Sequence, residues 1–99
     1  MPQYLVEVYH SKTRADEALL AAERACAAAE EVAGGGVAVR YVRSHFVRED
    51  ETCLYFFEAP LEAAVREACR LAGIAGDRIV EAADITPAGA PHSESGAPH

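Results

Sequence analysis

From Gln3 to Tyr9 the chain alternates, with Tyr4, Val6 and Val8 on one side and Leu5, Glu7 and Tyr9 on the other. That twofold period is the period of a strand. Thr13-Arg-Ala-Asp16 then resembles a capping box with Asp in place of Glu, and it opens an Ala-rich stretch that stops at Gly34-Gly-Gly36. Within it Leu19, Ala22, Cys26 and Ala29 recur every three or four residues, which predicts a helix burying that stripe and leaving Glu17, Arg24, Glu30 and Glu31 to solvent. Two β-branched and aromatic runs, Arg40 to Val47 and Thr52 to Glu58, flank the charged tetrapeptide Arg48-Glu-Asp-Glu51 and predict a hairpin. Pro60 opens a second amphipathic helix, Leu61 to Leu71, with Leu61, Val65, Ala68 and Ala72 on one stripe, and Gly73 breaks it. A last strand is expected near Arg78 to Ile85. From Pro87 onward the chain has no periodicity and too little apolar surface to offset its ordering entropy, so residues 87–99 are expected to be a disordered tail behind one domain spanning 1–86.

The order β-α-β-β-α-β predicts a ferredoxin-like α+β fold, a four-stranded antiparallel sheet with both helices on one face. If Glu49 and Asp50 are the central turn residues, Phe46 faces Cys53, Ser44 faces Tyr55 and Val42 faces Phe57, an apolar set suited to the helices. His45 then faces Leu54, Arg43 faces Phe56 and Tyr41 faces Glu58 on the opposite side, joined by Leu5, Glu7 and Tyr9. A slip of one residue would exchange the two faces. The second set is too apolar for bare exposure to water and too polar for dry packing, as the wall of a ligand cavity or a partner-binding face would be.

Charge narrows the classes of partner. Nine Lys and Arg against sixteen Asp and Glu give a net charge of −7, the opposite of the clustered cationic surface that nucleic acid requires. The N-terminus lacks a basic and then apolar leader, and no run reaches the length of a membrane span, so a cytoplasmic protein with no membrane partner is expected. Cys26, Cys53 and Cys69 are odd in number, far apart and set in apolar segments, which reads as free buried thiols rather than a disulfide framework or a zinc motif. Gly34-Gly-Gly36 follows a helix, so it is a helix stop and not a phosphate cradle.

The polar residues of the second face can do two kinds of chemistry. As metal ligands, His45, Glu7 and Glu58, with His10 at the strand end, combine imidazole and carboxylates that suit divalent nickel or zinc. No nucleotide cofactor is implied. As an acid/base site, His45 carries protons near neutral pH, Glu58 sits within reach, Tyr41 donates to a developing oxyanion and Arg43 anchors a carboxylate or enolate. Leu5, Glu7, Tyr9, Leu54 and Phe56 would line the cavity. A cofactor-independent isomerase, cyclase or dehydratase of hydrophobic molecules fits that kit. The bland readings stand beside these: Glu7 and Glu58 paired with arginines across the sheet, His45 as an ordinary strand histidine, and the whole face as a dimerisation surface.

Tyr4-Leu-Val-Glu7, Arg40-Tyr-Val-Arg-Ser44, Glu49 to Pro60, Ala64-Val-Arg-Glu-Ala68 and Arg78-Ile-Val-Glu81 together resemble the small bacterial DUF4242 domains, described also as nickel-binding-protein-like. The resemblance spans roughly residues 3 to 86. It implies a ferredoxin-like chain that forms a homodimer sheet to sheet, an α+β barrel, and it implies binding of a divalent metal, nickel first. The chain departs from the family pattern at Tyr9-His10-Ser11 and at Leu61.

Overall fold

The computed structural model describes residues 1–83, 85 and 87–89. Strand β1 (Gln3–Tyr9) leads through a 3-10 turn (Lys12–Arg14) into α1 (Asp16–Gly34); β2 (Arg40–Val47) and β3 (Thr52–Glu58) form the hairpin; α2 (Glu62–Ala72) leads to β4 (Arg78–Ala82). The strands lie in the order β2-β3-β1-β4, every neighbouring pair antiparallel, which is the ferredoxin-like α+β arrangement. Both helices cover one face. Strand β4 ends at Ala82 rather than Ile85, and all but Pro87, Ala88 and Gly89 of the expected tail lie outside the described residues.

The core divides its labour by residue size. The sheet supplies bulk through Tyr4, Val6, Tyr55 and Phe57, all buried, whereas the helices supply small side chains: Ala21, Ala25, Ala28, Ala29 and Val32 from α1, and Ala64, Val65, Ala68, Cys69 and Ala72 from α2. This corrects the expected stripe on α1. Leu19 and Leu20 are 67% and 54% exposed, and Leu61 before α2 is 67% exposed. The rings of Tyr55 and Phe57 already fill the space above the sheet, so the alanine face turns inward and lets the two helices approach closely.

The termini of the elements differ from expectation at one point. Ser11, not Thr13, is the capping side chain: its Oγ accepts the Thr13 N–H at 3.3 Å at the head of the 3-10 turn, and α1 begins at Asp16 without a side-chain cap. Asp16 and Glu17 in the first turn oppose the positive end of the helix dipole instead. At the end of α2, Gly73 adopts φ +72°, the Gly73 N–H donates to the Arg70 carbonyl and the Ile74 N–H to the Cys69 carbonyl at 2.9 Å. This Schellman turn drives Ile74 back into the core.

Candidate functional site

The hairpin turn forms as read, with the Glu51 N–H donating to the Arg48 carbonyl at 3.1 Å around Glu49 and Asp50. His45 faces Leu54 and Arg43 faces Phe56. Beyond Arg43 a β-bulge at Val42 shifts the register, so Tyr41 faces Phe57 and Arg40 faces Glu58. Tyr41 is therefore not on the helix-free face. Its ring packs edge-on to Phe57 at 5.9 Å on the core side and its hydroxyl meets the Ser44 Oγ at 2.5 Å. The extra residue in β2 is the cause, since one inserted position reverses the side to which every earlier side chain points.

The helix-free face is a grid that carries the short cross-strand row Tyr9–Thr52–Val47 at one end and three further rows that each cross all four strands. Arg78–Glu7–Leu54–His45 form the first, Val80–Leu5–Phe56–Arg43 the second, and Ala82–Gln3–Glu58–Arg40 the third. The centre is apolar: Leu5, Leu54, Phe56 and Val80 are each half-buried by their neighbours. Ion pairs stand at opposite corners, Arg78 to Glu7 at 3.0 Å and Arg40 to Glu58 at 2.7 Å. The Arg40 hydrogen bond holds the Glu58 carboxyl below its usual range. Arg43 lies over the Phe56 ring with its guanidinium carbon 4.5 Å from the centroid, and the exposed His45 ring meets the same Phe56 edge-on at 5.9 Å.

These placements separate the residues proposed as metal ligands. Glu7 and Glu58 are four residues apart along the ladder, about 13 Å at strand rise, and each is already engaged by an arginine. His45 stands two strands from Glu7, about 10 Å at the usual strand spacing, with Leu54 between them. His10 is elsewhere: its ring packs edge-on to Phe46, on the core side of β2, and its Nε2–H donates to the Arg14 carbonyl at 2.7 Å. Among the described residues no three His, Cys, Asp or Glu side chains gather as a metal-holding group.

A second concavity, not anticipated from the chain alone, opens where the ends of β1 and α2 meet the start of α1. It has a volume of about 420 Å³, and Tyr9, His10, Arg14, Arg24, Tyr55 and Ile74 are among the residues that line it. Tyr9, expected on the sheet face, keeps that side by its register opposite Thr52 and also borders this concavity, 64% exposed, its N–H donating to Asp77 Oδ2 at 3.1 Å. Nothing in the sequence singled out Arg24, which its helical position assigned to the solvent side of α1 with Glu17, Glu30 and Glu31. Tyr55 is fully buried and comes from the centre of β3, far away in sequence. No family model, curated protein or solved structure matches this chain. Among the described residues no helix is long and apolar enough to cross a membrane.

Proposed function

We propose that this chain works as a homodimer closed across its helix-free sheet face, with Arg43, His45 and Phe56 at the seam forming the wall of a small-molecule cavity. The single observation behind this reading is the grid itself. Val80, Leu5, Phe56 and Leu54 make a contiguous apolar centre across β4, β1 and β3, rimmed by two ion pairs, an arginine and a histidine. Apolar centres with polar rims, enriched in aromatics and arginine, are how protein interfaces are built. The resemblance to DUF4242 domains points to the same sheet-to-sheet pairing.

Within such a seam His45 and Arg43 flank one aromatic ring, so an apolar ligand lying on Phe56 meets a proton carrier and a fixed cation together. That pair suits acid/base work on a hydrophobic molecule better than metal ligation, because both carboxylates of the face are held by arginines. Sedimentation velocity of the full chain over a dilution series tests the dimer. A species of twice the chain mass that dissociates on dilution is expected; a monomer at every concentration refutes it.

A further inference from the structure

The cleft at the other end of the molecule holds a constellation independent of the sheet face. The Arg24 Nε–H donates to the Ala72 carbonyl at 2.9 Å, which ties α1 to the end of α2 and fixes where the guanidinium stands. Its terminal nitrogens keep their donors. Among the described residues Arg24 makes no ion pair, although Arg14, Arg40, Arg66, Arg70 and Arg78 each hold a glutamate. Glu17, the carboxylate that feels the charge of Arg24, is gripped at both oxygens by Arg14, at 2.9 and 2.8 Å. Arg43 and Arg48 are likewise without an ion pair among the described residues, but neither of them lines this cleft, so Arg24 is the arginine here whose charge a ligand can take up.

The surroundings define what would complete it. Tyr55 lines the same cleft with the Cys53 thiol beside its hydroxyl, burial pushes the phenol up, and a phenol is a donor at neutral pH in any case. His10 is held through its Nε2–H, which leaves Nδ1 as an acceptor in the neutral ring. Leu20, 54% exposed at the wall, and Val8 and Ile74 behind it supply apolar contact. A volume of about 420 Å³ lies within the range of small-molecule sites, which combine apolar walls with a few converging polar groups.

We infer that this cleft binds a small monocarboxylate with an apolar body, its carboxylate on the terminal nitrogens of Arg24 and the hydroxyl of Tyr55, its chain against Leu20 and Ile74. Arginine is suited to this because its planar fork matches a carboxylate at two points. No bond is made or broken in the proposal; it is a binding site.

The test is a proton–nitrogen NMR titration of the full chain with hexanoate, with hexanamide as the neutral isostere. Saturable shifts of the His10, Ser11, Gly73 and Ala75 amides are expected with hexanoate and not with hexanamide. Arg24→Gln weakens the binding at least about tenfold, the worth of one charge-assisted hydrogen bond. Tyr55→Phe keeps the ring packing and removes only the hydroxyl, so it weakens binding several-fold and decides the matter alone should Arg24→Gln lose the native spectrum. Absence of saturable shifts, equal binding of hexanamide, or undiminished affinity in a folded variant overturns the inference.

Discussion

Leu54 stands between Glu7 and His45 in its cross-strand row, next along β3 on this face to Phe56, and it is the side chain on which dimer closure can be measured. Burying a leucine completely is worth roughly 1.5–3 kcal/mol, and Leu54 is already half-covered by its own chain, so dimer closure adds about 0.75–1.5 kcal/mol per copy. A twofold interface presents the same residue twice. Leu54→Ala should therefore cost the dimer about 1.5–3 kcal/mol, which raises its Kd by about 10- to 150-fold. Sedimentation equilibrium at several loading concentrations measures this directly. Leu61→Ala serves as the control, because Leu61 is just as apolar and more exposed but precedes α2 on the opposite side of the sheet. An unchanged Kd for Leu54→Ala, or an equal shift for Leu61→Ala, would refute closure across this face.

Other consequences are as direct. Burial pushes the Cys69 thiol up to about 11 and raises that of Cys53, so a thiol reagent should modify Cys26 first and the other two at the rate of unfolding; equal native-state reactivity by mass spectrometry would contradict the packing. Gly73→Ala places a side chain at φ +72° with no atom close enough to obstruct it, so the backbone alone should cost about 1–2 kcal/mol in urea unfolding, and a neutral result would remove the Schellman turn from the account. Because Arg40 lowers the Glu58 pKa, their pair contributes above the unfolded carboxyl pKa and is lost as pH falls through the folded value. Arg40→Ala should lift that titration back toward the ordinary range by NMR at a cost below about 1 kcal/mol, the limit for a solvent-exposed pair. Nickel on this face must displace Arg40 from Glu58 or Arg78 from Glu7, so Arg40→Ala should strengthen any Ni²⁺ binding in calorimetry of a chain ending at Pro87; weaker binding would exclude Glu58 as a ligand.

The sequence by itself determined the elements, their order and most of the hairpin register. Alternation in β1, the helix stops at Gly34 and Gly73 and the charged turn at Arg48 to Glu51 are local signals, and local chemistry enforces them. It also placed His45, Arg43, Leu54, Phe56, Leu5 and Glu7 on one face, because a strand's period carries each assignment to the next position. Tertiary structure decided what has no local signature. The bulge at Val42 moved Tyr41 to the core and handed Glu58 to Arg40, since an inserted strand residue leaves no mark on composition. The inward turn of the alanine stripe was set by the volume of Tyr55 and Phe57 on another element. The cleft joins Arg24, Tyr55 and the carbonyl of Ala72 from three separate elements, and only packing could bring them together.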